Sequence, residues 1–482
     1  MAFWDNRDIV QEICNNANTK SAIQVLSITQ SMHEMKKKII FGGLQKLSVI
    51  QYLPYFNQFT KVVIDIDIPL PNFARYAKFN FKTGHHTLLD IPQDTTDLCF
   101  GGKFNEIIMS YPDRPKIRRI YFGLSYNQPL CKIPDNVRII VFLKDFNQSL
   151  VGILPKNLIK ITLSSNFNQP IHDTFQNGIR RIDFGSKFNQ PIKTHIPDTV
   201  RKLSFGHDFD QDIDGLLPKE IRVLRLGVNF NRNIDLTSLQ NIRIIIFSYK
   251  YRQPIKNKFP SSIKQIYFSQ YFNQPINDMF PNGIRIVFFG NHFNQTIQGH
   301  IPDTIRTLNF GMNFHQPLDE IPFGVTHLTL HNINNIKCIP TSVTHLTLCE
   351  IDRSIPIPCS VTHLSFRRFN ESVVGYIPPN VKFIDFGCKF NQPFEDNVPH
   401  TVTKIYIGRK YELPISDEFK TRVVVKFGIN NLYYTLLIAA CNTKSLVNIY
   451  VITMNTNNFT ISITLSVEAR ISWRITTKSF SY

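Results

Sequence analysis

The chain has 482 residues and a net charge of +18, from 54 Lys and Arg against 36 Asp and Glu, an excess that favours acidic partners and says nothing about fold. The first ten residues, MAFWDNRDIV, carry charge where a secretory leader needs an apolar stretch, and no apolar run reaches the roughly 18 residues of a spanning helix, the nearest being Leu432 to Cys441. With eight cysteines and no Cys-x-x-Cys pair, the expectation is an intracellular, cytoplasmic soluble chain with reduced thiols and no membrane contact.

Residues 1–50 differ in pattern from the rest of the chain. Apolar residues at Ile9, Ile13, Ile23, Leu26, Met32 and Met35, interrupted by Asn15, Asn16 and Asn18, predict two or three short helices, the second capped by Thr19 or Ser21. A repeat array needs a covered end, so one reading is a helical cap. Ile9, Val10 and Ile13, followed by Ala22, Ile23, Val25, Leu26 and the run from Ser27 to Ser31, also resemble a divergent F-box. That family's leading Leu-Pro is missing, and Met32 to Lys38 replace its Trp-containing end. The resemblance implies docking on the adaptor subunit of a cullin-type ubiquitin ligase through Ile9, Val10, Ile13, Ile23 and Leu26.

Residues 55–94 hold two irregular leading coils, FTKVVI from Phe59 and YAKFNF from Tyr76. From 95 to 420 one unit recurs about 16 times, its first apolar residue, position zero, running from Thr95 and Ile117 to Val402. Between Leu158 and Ile305 the step is 21 residues every time, the mark of a solenoid whose coils stack on their neighbours. Positions zero, plus three and plus five are apolar, as in Val200, Leu203 and Phe205, which is the L-x-x-L-x-L spacing of leucine-rich repeats with a short parallel strand per coil. Strands about 4.8 Å apart would form a face on the order of 75 Å long.

Gly at plus six, as in Gly185 and Gly206, is expected to end the strand in a turn that a side chain would obstruct. An aromatic at plus nine (Phe167, Phe188, Phe209) predicts a buried spine, and Asn at plus ten (Asn147, Asn168, Asn189) a buried amide ladder. Prolines at plus twelve and before the next strand leave little room for a helix in the return segment. Three coils, beginning at Ile321, Ile339 and Ile357, are 18 residues apart and drop most of the aromatic turn, so local curvature should change there. After 421 the period is lost, and the alternation in NFTISITLSV predicts a strand in a C-terminal cap spanning 421–482.

The FNQPI unit with IPDTVRKLSFG is similar to the FNIP repeat of social amoebae and of giant viruses that infect amoebae, where an F-box often precedes it. The resemblance implies a leucine-rich-repeat-like fold, a binding role, no known catalytic residue and, for a viral chain, a place in the host cytoplasm. The fold expected is mostly β, a leucine-rich-repeat-like solenoid with a small α-helical N-terminal module.

Position plus one carries a column of cations: Arg118, Arg138, Arg180, Arg201, Arg222, Arg243, Lys264, Arg285 and Arg306. Exposed, it would hold acidic protein surfaces; Asp135, Asp198 and Asp303 offer three of these arginines a local partner, and the other arginines have none at that spacing. His327, His345 and His363 stack at plus two of the short coils, but three imidazoles at strand spacing do not converge on a tetrahedral metal, and duplication of an 18-residue unit accounts for them. Gly101-Gly102-Lys103 lacks the spacing of a phosphate loop, and no nucleophile or paired-carboxylate motif stands apart from the repeat. The reading is therefore a non-enzymatic protein-interaction scaffold without cofactor or metal, which the F-box resemblance extends to substrate recognition for a ubiquitin ligase. The alternative is an anion- or nucleic-acid-binding solenoid using the arginine column, although no nucleic-acid motif accompanies it.

Overall fold

The computed structural model of the chain describes residues 7–16, 18–27, 34–64, 70–79, 92–111, 116–192, 196–317, 321–331, 338–349, 354–367, 369–428, 450–453, 460–465 and 472–476. Two units divide it, Met1–Gly206 and His207–Tyr482, and each contains a parallel β-solenoid. In the first unit, α1 (Arg7–Asn16) and α2 (Thr19–Val25) precede strands β1 (Phe41–Lys46), β2 (Phe59–Ile64), β3 (Tyr76–Phe79) and β4 (Asp97–Phe100) through β9 (Lys202–Ser204), each parallel to the next. In the second, β10 (Val223–Arg225) leads through β19 (Lys404–Ile407) to β20 (Val424–Phe427) in the same manner.

The periodic residues make this core. Val200, Leu203 and Phe205 are fully buried, as are Ile284 and Val287, and burial of each such side chain contributes about 1.5–3 kcal/mol. The proline before each strand opens a turn whose fourth residue is position zero: Val200 N–H donates to Pro197 O at 3.0 Å, and Ile305 N–H to Pro302 O at 3.1 Å. Proline suits that place because only its carbonyl is used. Among the described residues the return segments between β4 and β19 hold turns and one 3-10 turn, Glu395–Asn397.

Glycine at plus six has a sharper reason than a turn. A Cβ on Gly206 would lie 1.6 Å from the Gly185 carbonyl oxygen, and one on Gly185 1.5 Å from that of Ser164, so at these steps the coils approach too closely for a side chain. Where Ser replaces Gly, as at Ser164, Ser248 and Ser269, its buried hydroxyl donates to the plus-nine carbonyl of the preceding coil.

The aromatic spine is present in both units. Ring centroids of Tyr126, Phe146, Phe167 and Phe188 follow at 6.1, 6.4 and 6.2 Å, and those of Phe272, Phe293 and Phe314 at 6.3 and 6.0 Å. The amide ladder is present too, but it is half-buried and not fully buried as its spacing predicts. Asn147 Oδ1 accepts the N–H of Asn168 at 2.8 Å, and Asn168 Oδ1 that of Asn189 at 2.9 Å. The following Gln completes the rung, its Nε2 donating across the same step from Gln169 to Asn147 O at 3.0 Å and from Gln316 to Asn294 O at 3.1 Å.

Two boundaries shift. The sheet starts at β1, inside the stretch expected to be helical, because Phe41 stacks on Phe59 at 5.2 Å; the paired glycines of FGGLQK hide that strand in the sequence, and a Cβ on Gly43 would meet Thr19 Oγ1 of α2 at 1.7 Å. At the other end, the helix Asp417–Arg422, capped by Ser416, and β20 continue the array past 420. Strands Tyr450–Thr453, Thr460–Leu465 and Ser472–Thr476 form a separate antiparallel sheet, which places the strand expected in NFTISITLSV. Among the described residues no helix is long and apolar enough to cross a membrane.

Candidate functional site

The cation column lies one residue before each strand, where the backbone of one coil bonds to the same position of the last. Arg243 N–H donates to Arg222 O, Lys264 to Arg243, Arg285 to Lys264 and Arg306 to Arg285, all at 2.8–2.9 Å. Five cations thus succeed one another coil by coil in the second unit, spanning about 19 Å at strand spacing. In the first unit Arg118 and Arg138 are neighbours, as are Arg180 and Arg201, with Ile159 between the pairs. Arg118, Arg138, Arg180, Arg243, Arg285 and Arg306 are exposed, while Arg201, Arg222 and Lys264 are half-buried.

No local carboxylate neutralises them. Among the described residues none of the nine forms an ion pair, and Asp135, Asp198 and Asp303 do not pair with the arginines three residues on. Asp135 instead accepts the N–H of Lys156 at 2.9 Å. Three cations bond to turn carbonyls of the next coil, Arg118 to Asn136 O at 3.2 Å, Lys264 to Gly283 O at 3.3 Å and Arg306 to Gly324 O at 2.9 Å, which orients the groups and leaves their charge in place. Beside the column in the second unit, the strand positions that alternate with the core are mixed: Val223, Ile244, Ile246, Tyr267, Ile286 and Phe288 are apolar, with Tyr267 and Phe288 stacked at 5.0 Å, and Arg225, Gln265, Thr307 and Asn309 are polar.

The run is interrupted after Arg306, because the three short coils carry Thr there, and a cation returns at plus one with Lys382, whose N–H donates to Thr362 O at 2.8 Å. Thr326, Thr344 and Thr362 each hold the Nδ1 of the next residue, His327, His345 or His363, at 3.0 Å. Each hydroxyl also reaches the plus-one carbonyl of the preceding coil at 3.2–3.3 Å. A hydroxyl has one proton; given to the carbonyl, it leaves the oxygen to accept from Nδ1–H, so the three Nε2 atoms carry the lone pairs. The rings stack at 4.1 Å in both steps. Burial, followed by the neighbouring imidazoles, lowers His345 to about 4; burial also lowers His327 and His363. Parallel rings leave the lone pairs side by side, and among the described residues no cluster fit to hold a metal occurs.

Sequence reasoning missed a third row. Strands β15 (His327–Leu330), β16 (His345–Leu348) and β17 (His363–Phe366) run from plus two to plus five, as β4 and β19 do, and plus six carries His331, Cys349 and Arg367 where the other coils carry Gly, Ser or, once, Leu143. Cys349 Sγ lies 2.8 Å from His331 Nδ1. The signal was in the triplet HLTLH, HLTLC and HLSFR, whose last residues break the glycine rule.

At the N-terminus, Val10 and Leu26 are buried and Ile23 is half-buried; the side chains of Ile9 and Ile13 lie outside the described residues. Gln11 bonds both ways to the residue before β1, its Nε2 to Ile40 O at 3.0 Å and its Oε1 from Ile40 N–H at 2.8 Å, which ties α1 to the start of the sheet.

Comparison with known proteins agrees with this architecture. CroV588, a circular LRR protein of a giant virus, is similar over 78% of this chain at 26% identity with a TM-score of 0.56, and the match spans 66% of that protein's length. YopM from Yersinia enterocolitica is similar over 70% of this chain and 74% of its own at 14% identity and a TM-score of 0.32, and an LRR protein of Leptospira interrogans over 59% and 96% at 14% and 0.28. No curated protein matches in sequence. The FNIP Repeat model matches seven segments, residues 126–166, 146–187, 167–208, 251–292, 293–332, 352–389 and 372–410, and the chain belongs to the FNIP-repeat family.

Proposed function

We propose that this chain is a non-enzymatic scaffold that binds acidic protein surfaces along its cation column. The observation that carries the reading is a run of five cations, Arg222, Arg243, Lys264, Arg285 and Arg306, at one position of successive coils with no carboxylate paired to any of them among the described residues. Such a row raises the local concentration of an acidic partner and fixes its register, and apolar side chains among the strand positions beside it, such as Ile244, Ile286 and Phe288, supply burial that charge alone does not. Substituting Arg222, Arg243, Arg285 and Arg306 together by Gln in the full chain should weaken an Asp/Glu-rich peptide at least about tenfold. An oligonucleotide of equal charge that binds more tightly than the peptide would transfer the column to the nucleic-acid reading.

The N-terminal helices supply the second part of the proposal, docking on a ubiquitin-ligase adaptor in the host cytoplasm. Ile23 is the adaptor-facing candidate, since Val10 and Leu26 are used inside the module. Purified adaptor should bind the full chain and lose it on Ile23→Lys. An adaptor that ignores the full chain reduces residues 7–27 to a cap on β1.

A further inference from the structure

The row that replaces glycine in the short coils contains a nucleophile beside a base. Cys349 is half-buried, its Sγ 2.8 Å from His331 Nδ1, and its backbone N–H donates to Leu330 O at 3.2 Å, so the pair sits at the end of paired strands and not on a free loop. On the other flank Arg367 N–H donates to Leu348 O at 2.8 Å, which puts a guanidinium-bearing residue next in the same row. A thiol within hydrogen-bond reach of an imidazole has the surroundings that favour its thiolate, the reactive form. Cys338, Cys359 and Cys388 are more exposed.

We propose that Cys349 is a thiol-modification site, activated by His331, that forms a mixed disulfide with small disulfides bearing carboxylates. His331 Nδ1 takes the Sγ proton, and the Cys349 sulfur attacks one sulfur of the disulfide. That S–S bond breaks, a new one forms to Cys349, and the departing half leaves as a thiolate that takes the proton from the imidazolium. Cys349 is oxidised and the departing half reduced, with no further oxidant. The net charge of +18 favours a carboxylate-bearing reagent over a neutral one. The adduct would stand on the outward strand face that also carries His345 and Thr347, and would alter it by the bulk and charge of the added group.

The full chain, incubated with oxidised glutathione and mapped by mass spectrometry, tests this. Cys349 should be modified about tenfold faster than Cys338, Cys359 and Cys388 at pH 7, with a rate nearly flat down to about pH 6 while theirs fall about tenfold per unit. His331→Gln should slow Cys349 about tenfold and leave the exposed three unchanged, which also reports that the variant is folded. Equal rates at all four cysteines, or a Cys349 rate that falls with pH as steeply as the others, would overturn the proposal without need of the variant.

Discussion

The 21-residue coils and the three coils whose strands start 18 residues apart share one strand register and one inner core, yet differ at several positions outside that core. Most of the other coils put a cation at plus one, with Thr96, Ile159 and Thr403 as exceptions, glycine or serine at plus six, with Leu143 as the exception, and an aromatic at plus nine. Short coils put Thr at plus one, a stacked His at plus two, and His331, Cys349 or Arg367 at plus six. The first two of these coils carry no Phe or Tyr ring in the turn, the third keeps Phe369, buried and stacked on Phe390 at 5.9 Å, and all three carry a side chain longer than serine's at plus six. Coil spacing and surface chemistry change together: the long coils present a charged row, and the short ones a polar patch with a reactive thiol.

That contrast breaks most sharply at plus six. Gly290→Val should cost about 4 kcal/mol or more, because its Cβ would lie 1.8 Å from the Ser269 carbonyl oxygen, whereas Cys349→Val at the same register should cost less than about 1.5 kcal/mol by denaturant unfolding. Next comes the spine: Phe293→Ala removes a buried ring stacked on Phe289 at 3.9 Å and should cost about 3–5 kcal/mol, a loss with no counterpart in the first two short coils, which carry no ring there. Asn294→Ala should cost about 1–2 kcal/mol, since Asn294 Oδ1 accepts the N–H of His315 at 2.9 Å and the amide of Gln316 at 3.2 Å. The smallest effect has the opposite sign. Tyr251 is a spine ring whose buried hydroxyl has no partner among the described residues, so Tyr251→Phe should stabilise by about 1 kcal/mol.

The short coils have a pH signature that the long ones lack. The stacked imidazoles are held neutral, with His345 lowered to about 4, so between about 6.5 and 4 the unfolded chain binds more protons and stability falls as pH falls. Asp385, one coil beyond, works against this: burial raises it to about 6, so its contribution is present at low pH and is lost as pH rises through 6. His345→Gln separates the two, and the melting temperature of the variant should fall less than that of the parent chain between pH 7 and 5.

Much of this was legible because the repeat is its own alignment. The buried column of Val200, Ile221 and Ile242, the spine and the parallel strands follow from spacing alone. The rest depended on contacts between coils, which spacing does not encode. Gly185 was readable as a turn residue, but the carbonyl of Ser164 pressing on it was not. Asp303 stands three residues before Arg306, yet that guanidinium turns to the carbonyls of Asp303 and Gly324. Phe41 was hidden by its two following glycines, and Cys349 was legible only as an exception to a rule whose cause lies in three dimensions.

The most direct test of the charged row is the salt dependence of binding an Asp/Glu-rich peptide to the full chain, beside the chain with Arg222, Arg243, Arg285 and Arg306 changed to Gln. Affinity of the parent should fall at least about tenfold between 50 and 200 mM salt, with a much shallower slope in the variant. A flat parent curve, or the same slope in both proteins, would contradict the assignment of the column as the binding face.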